Sequence, residues 1–152
     1  MSGDVQIESG ERELRITRIF DAPRPLVFEA WSKAEHLKHW FAPDGFTVPA
    51  CELDFRVGGA YRLCMRGFGN DHWVHGVYRE IVVPERIVWT GILESDGNEM
   101  VTTITFADYQ GKTRLSVHQT YSKETDSTRG AREGWTQTLE HLAEYVATLS
   151  RK

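Results

Sequence analysis

The segment from Ser127 to Leu149 constrains the fold more than any other stretch of the chain. Ala131, Trp135, Leu139, Leu142, Val146 and Leu149 recur at steps of three and four, which makes one apolar stripe on an otherwise polar rod. With a rise of ~1.5 Å per residue, the helix this predicts spans roughly 30 Å, the width of a small domain. Nearly everything before it reads as strand. A sheet wrapped around one long terminal helix is therefore expected.

The first ten residues read as frayed. From Glu11 to Phe20 the pattern alternates, with Leu14, Ile16 and Phe20 on one face and Arg15 and Thr17 on the other, a strand with one buried side. Asp21-Ala-Pro-Arg-Pro25 stops it. Proline is tolerated in a first helical turn, so a short helix is expected from Pro23 to Trp31. Ser32 and Glu35 have capping-box spacing and predict a second short helix through Trp40. Six strands then follow over 46–57, 60–67, 72–83, 86–94, 99–107 and 112–121, with turn signals between them. Their connections are short, which predicts an antiparallel meander.

Register can be read one step further. A three-residue Gly58-Gly-Ala60 loop would pair Val57 with Tyr61. Cys51, Leu53, Phe55, Val57, Tyr61, Leu63 and Met65 then share the inner face, with Glu52, Asp54, Arg56, Arg62, Cys64 and Arg66 outside. The cysteines fall on opposite faces, so no disulfide between them is expected. Carried onward, this parity puts Val74, Gly76, Tyr78, Glu80, Ile87, Trp89, Gly91, Leu93, Met100, Thr102, Ile104, Phe106, Thr113, Leu115, Val117 and Gln119 inside. A single bulge would invert part of that set.

At 152 residues, the chain reads as a single α+β domain able to bury a core without staples. A net charge of -4 and the absence of a basic run give no case for nucleic acid. No apolar stretch reaches the length of a membrane span, and the polar N-terminal stretch lacks a signal-peptide core, so a cytoplasmic location is expected. No phosphate loop, nucleophile elbow or dinucleotide fingerprint is present, and no cofactor is expected. His36 and His39 lie one turn apart, but nothing nearby completes a metal site.

The order of elements (strand, two short helices, six-strand meander, long helix) is that of the helix-grip fold. Arg18-Ile-Phe-Asp-Ala-Pro-Arg24 with Val27-Phe-Glu-Ala-Trp31 resembles the opening of the START/SRPBCC superfamily. The same is true of Trp40-Phe-Ala-Pro43, Asp54-Phe-Arg-Val-Gly-Gly-Ala-Tyr61, Gly76-Val-Tyr-Arg-Glu-Ile81, Pro84-Glu-Arg-Ile-Val-Trp-Thr90 and Gly134-Trp-Thr-Gln-Thr-Leu139. As an ordered set, running from about residue 12 to 148, they resemble the branch named after activators of the heat-shock protein 90 ATPase. The resemblance implies a curved sheet of about seven strands gripping the last helix, with a hydrophobic cavity between them. Members of the superfamily bind apolar molecules, act as cyclases or aromatases, or serve as co-chaperone domains, and fold alone does not choose among these.

The candidate cavity residues are Trp31, Trp40, Phe41, Phe55, Met65, Tyr78, Glu80, Trp89, Ile104, Val117, Trp135 and Leu139. Gly130, Gly134, Gly76 and Gly91 are read as space left opposite the aromatics. An inward Glu80 needs a partner, either Arg18, also placed inward, or a polar ligand group; the alternative is that it lies at a strand end and reaches water. His75 and His118 fall outside, together with an apolar stripe of Trp73, Val77, Val88, Ile92 and Val101 that would suit a dimer or partner surface. The favoured reading is a non-enzymatic binder of a small apolar or aromatic ligand. The alternatives are a cyclase-like enzyme using Glu80 or Tyr78, and a module that works with a chaperone.

Overall fold

The computed structural model describes residues 5–10 and 12–149. Strands β1 (Val5–Gly10) and β2 (Glu13–Phe20) lead into the short helices α1 (Arg24–Glu29) and α2 (Ala34–Trp40). The meander follows as β3 (Phe46–Leu53), β4 (Ala60–Gly67), β5 (Asn70–Val82), β6 (Arg86–Leu93), β7 (Asn98–Tyr109) and β8 (Lys112–Tyr121). One helical turn, α3 (Asp126–Arg129), precedes the long helix α4 (Ala131–Leu149). All the strands form one antiparallel sheet in the order β1-β2-β8-β7-β6-β5-β4-β3. Val5–Gly10, read from sequence as frayed, pairs with β2 and adds an eighth, edge strand.

Four local details depart from the sequence reading. Ser32 does not cap α2: its hydroxyl donates to the Glu29 carbonyl at 2.8 Å and closes α1, while Lys33 occupies the cap of α2 without a side-chain bond. β3 ends at Leu53, which pairs with Tyr61, so the loop is longer than three residues and Val57 is 59% exposed. That shift is an even number of residues, so the faces of Cys51, Leu53, Tyr61 and Leu63 are unchanged. The β4–β5 turn is Phe68-Gly69, both at positive φ, so β5 starts at Asn70 rather than at the expected residue 72. The last helix begins at Ala131, because the chain breaks at Gly130 after α3. The Gly130 carbonyl accepts the first helical bond, from Gly134 N at 3.0 Å.

The largest correction is a bulge in β5. Tyr78 pairs with Trp89 but Glu80 pairs with Val88, so Arg79 is an extra residue and the faces invert beyond it. Glu80 therefore points out, where it pairs with Arg86 at 3.1 Å, and both side chains are 45% exposed. Arg18 is buried at 2% and reaches instead to Glu140 of α4, 2.7 Å away. The expected Arg18–Glu80 pair does not form. A buried guanidinium would be costly if unpaired, and here it fastens the sheet to the middle of the helix.

The inner face of the sheet and the stripe of α4 enclose the core. Trp135, Leu139, Leu142 and Val146 are buried along α4 as the periodicity requires. Trp31 is the hub of an aromatic cluster, with ring centroids 4.6 Å from Trp40, 5.8 Å from Trp89, 6.1 Å from Phe106 and 6.4 Å from Trp135. Trp40 Nε1 donates to the Ala30 carbonyl at 3.0 Å, which ties α2 to the end of α1. No helix among the described residues is long and apolar enough to cross a membrane.

Candidate functional site

Leu139, Leu142 and Val146 of α4 are buried, and a space opens between the sheet and the first half of the helix. A cavity of about 400 Å³ lies there. Its floor is the inner face of the meander: Tyr61, Leu63 and Met65 of β4, Val74 of β5, Trp89, Gly91 and Leu93 of β6, Met100 of β7, and Gln119 and Tyr121 of β8. Its roof is Ala131, Gly134, Trp135 and Thr138 of α4, with Thr128 and Gly130 before it. Phe41, Ala42 and Pro43, after α2, and Phe46, at the start of β3, form one flank, and His72 completes the rim. A second void of about 30 Å³ lies deeper, sharing Phe41, Tyr61, Leu63 and Trp89 with the first and lined also by Trp31 and Tyr78. The larger volume falls in the ~300–1,000 Å³ range of small-molecule sites.

Of the residues expected from sequence, Phe41, Met65, Trp89 and Trp135 line the main cavity. Trp31 and Tyr78 line the smaller void. Trp40, Ile104, Val117 and Leu139 are buried in the packed core, and Phe55 packs edge-on against Tyr78 at 5.1 Å. Glu80 lies outside the cavity altogether.

The glycines divide. A Cβ on Gly134 would meet only Pro43 Cβ, at 3.9 Å, so this position is space. A Cβ on Gly76 would fall 1.8 Å from the Thr90 carbonyl, and one on Gly91 2.6 Å from the Tyr61 hydroxyl, so those two serve close packing.

Tyr61, Leu63, Val74, Leu93, Met100 and Gln119 were on the expected inner face without being singled out. Tyr121, His72, Phe46 and Thr138 escaped the sequence reading. Tyr121 and His72 had a signal, since each sits two residues beyond a position already placed inside.

The cavity's polar groups are mostly spoken for. Tyr61 Oη donates to the Thr90 carbonyl at 2.9 Å. Gln119 donates from Nε2 to Thr102 Oγ1 at 2.8 Å and accepts at Oε1 from Trp135 Nε1 at 3.2 Å. That chain of bonds ties the Trp135 indole to β8 and β7. Thr128 Oγ1 donates to the Thr125 carbonyl at 2.9 Å. No Asp, Glu, Lys or Arg is among the lining residues. Burial holds the phenols of Tyr61, Tyr78 and Tyr121 above the usual tyrosine range, so all three stay protonated near neutral pH. Burial likewise raises the half-buried Cys51 thiol to about 11.

The flank beside Pro43 is clamped to α4. The two ring nitrogens of His141 lie 2.7 Å from the Ala42 carbonyl and 2.7 Å from Asp44 Oδ1. Gln137 Oε1 accepts from Asp44 N at 3.0 Å. Nearby, His36 Nδ1 bonds Tyr145 Oη at 2.6 Å and the His39 ring stacks on Tyr145. Among the described residues, no group of three His, Cys, Asp or Glu is placed to hold a metal.

On the outer face, Arg62 lies 3.7 Å over the Trp73 ring, and Glu94 pairs with both Arg62 and His75. His118 pairs with Glu13. Val77 and Ile92 remain exposed, but Val88 is 7% exposed, so the expected apolar stripe is interrupted.

The sequence profile of the family described as Activator of Hsp90 ATPase homolog 1-like protein matches residues 21–147. The chain belongs to this family. A solved structure from Chromobacterium violaceum is 33% identical, covering 89% of this chain and 96% of its own, with a TM-score of 0.81. One from Rhodobacter sphaeroides shares 20% identity over 95% of this chain and 99% of its own at a TM-score of 0.84. An AHSA1-like protein from Aeromonas hydrophila shares 19% identity over 92% of this chain and 95% of its own at 0.71. The last two show likeness of fold alone. No curated protein matches the chain.

Proposed function

We propose that this family member binds a small apolar or aromatic molecule in the cavity between the meander and the first half of α4. The observation that carries the reading is a partly open cavity of about 400 Å³ with an apolar wall, set against an otherwise buried core. Its apolar wall forfeits dispersion contacts that an apolar ligand would supply. Gly134 supports it, since alanine would be the better helix former there and has room. Fluorescence titration with the uncharged probe N-phenyl-1-naphthylamine tests it, alongside native mass spectrometry of protein taken from its natural host. Saturable one-to-one probe binding is expected; no saturable binding and no retained mass would remove the reading.

The family's description favours a second reading, a co-chaperone-like module. Capture of a heat-shock protein 90 and a change in its ATPase rate would support it, and the absence of both would end it. The cyclase-like reading loses its carboxylate, because Glu80 pairs with Arg86 at the surface.

A further inference from the structure

The polar groups of the cavity wall differ in what they have left to offer. Tyr61 Oη, Gln119, Trp135 Nε1 and Thr128 Oγ1 are bonded within the protein. Tyr121 Oη has no partner among the described residues, but it keeps less than 1 Å² of accessible surface and is sealed from the cavity. His72 and Thr138 remain. The His72 imidazole is half-buried at the rim, its ring 6.0 Å from that of Phe46, and its neighbour Asp71 is paired with Arg66. It reaches water there and needs no ligand. Thr138 is different, because the residue is only 5% exposed. Threonine hydroxyls on helices commonly bond back to a carbonyl one turn earlier. On α4, Thr136 Oγ1 donates to the Arg132 carbonyl at 2.8 Å and Thr148 Oγ1 to the Tyr145 carbonyl at 2.6 Å. Thr138 Oγ1 makes no such bond and has no side-chain partner among the described residues, yet unlike Tyr121 Oη it is not sealed. Its remaining surface therefore opens on the cavity that the residue lines. Helix side chains lean towards the N-terminus, so Thr138 leans over Gly134, which has no side chain to cover it and space around it.

We infer that Thr138 Oγ1 is the polar contact of the ligand site, and that the cavity takes a largely apolar molecule presenting an uncharged hydroxyl or carbonyl oxygen to the roof beside Gly134. The inference rests on the proposed ligand-binding function. A buried hydroxyl with no protein partner carries the cost of its desolvation until a group in the cavity bonds to it. The threonine hydroxyl both donates and accepts, so it serves either oxygen. A carboxylate or ammonium at Thr138 would be buried without a counter-charge, because no Asp, Glu, Lys or Arg lines the cavity and the His72 imidazole stands at the rim.

The test is displacement of N-phenyl-1-naphthylamine by 4-tert-butylphenol and by 4-tert-butyltoluene, which share a shape and differ by a hydroxyl in place of a methyl. Both are measured on the wild type, Thr138→Val, Thr138→Ser and His72→Phe. Thr138→Val breaks no internal bond, so its melting temperature should equal or exceed the wild type's, which shows that it is folded. A clearly lower one would mean that the hydroxyl is bonded inside the protein, and would overturn the inference. The affinity of the phenol relative to the toluene should fall roughly 5–10-fold in Thr138→Val, the worth of one hydrogen bond of ordinary strength, and should return in Thr138→Ser. A fall that serine does not reverse would tie the effect to shape rather than to the hydroxyl and sink the inference. So would a ratio that falls in His72→Phe but not in Thr138→Val, which puts the contact at the rim. If the probe binds but Thr138→Val leaves the ratio unchanged, or neither compound displaces the probe, only this inference falls. If neither the probe nor any compound binds the wild type, the ligand-binding reading falls, and this inference with it.

Discussion

Gly134 is where a single substitution separates a cavity kept open from a core left loose. It sits inside α4, where glycine costs roughly 1 kcal/mol against alanine. An added Cβ meets nothing closer than Pro43 Cβ at 3.9 Å, an ordinary contact. Gly134→Ala should therefore stabilise the protein by up to ~1 kcal/mol, raising Tm by about 2–4 °C for a chain of this length. Gly134→Phe asks a different question. It adds seven carbons, on the order of 200 Å³ at about one water volume each, to the wall of the about 400 Å³ cavity. The phenylalanine variant should fold, with a Tm at or above the wild type's, and its affinity for N-phenyl-1-naphthylamine should fall at least about tenfold. Differential scanning fluorimetry and the probe titration, run on the same preparations, measure both quantities. A destabilised Gly134→Ala would mean that the helix needs glycine for backbone approach. A folded Gly134→Phe with unchanged probe affinity would mean that the probe binds elsewhere.

Four further outcomes follow from the same geometry. Gly76→Ala places a methyl 1.8 Å from the Thr90 carbonyl, so it should destabilise by more than ~2 kcal/mol in urea unfolding, where a cost below 0.5 would contradict the strand packing. Glu140→Ala leaves the buried Arg18 without its carboxylate, at a cost of about 1–3 kcal/mol; Arg18→Met, which removes the buried charge but keeps an apolar stem, should cost less. Glu80→Gln should change stability by less than ~0.5 kcal/mol and leave probe binding intact, because its pair with Arg86 is solvent-exposed. Burial raises the Cys51 thiol from 9.0 to about 11 and the Tyr61, Tyr78 and Tyr121 phenols above 10.0, so the folded state holds these protons more tightly than the unfolded one. Their contribution is present in full below pH 9.0 and is lost as pH rises beyond it; urea midpoints should fall between about pH 8 and about pH 10.5, and a rising midpoint would contradict the sign.

The architecture was legible because two periods dominate it. The three-four stripe of Trp135, Leu139, Leu142 and Val146 and the alternation in every strand each specify a buried face, and the antiparallel order followed from short connections. Parity survived the misplaced end of β3 because the slip was even. It failed at Glu80 because a bulge is one extra residue, and nothing in Tyr78-Arg-Glu-Ile81 marks where it falls. The site was only partly legible, for a related reason. Being inside says nothing about whether a side chain meets another side chain or a void. Trp40, Ile104 and Leu139 met partners, whereas Met65 and Trp89 faced the gap. That distinction depends on the tertiary placement of α4 over the sheet, to which contacts distant in sequence contribute, such as those of His141 with Ala42 and Asp44. Tyr121 was missed because the inner-face reading stopped at Gln119, one strand step short.

The tryptophans offer the most direct test of where a ligand goes. Trp89 and Trp135 line the cavity, while Trp73 lies on the opposite face of the sheet beneath Arg62. In a titration of ¹⁵N-labelled protein with N-phenyl-1-naphthylamine, the indole N–H signals of Trp89 and Trp135 should shift and saturate together while that of Trp73 stays in place. A shift confined to Trp73, or saturable binding that moves neither Trp89 nor Trp135, would contradict a ligand site between the sheet and α4.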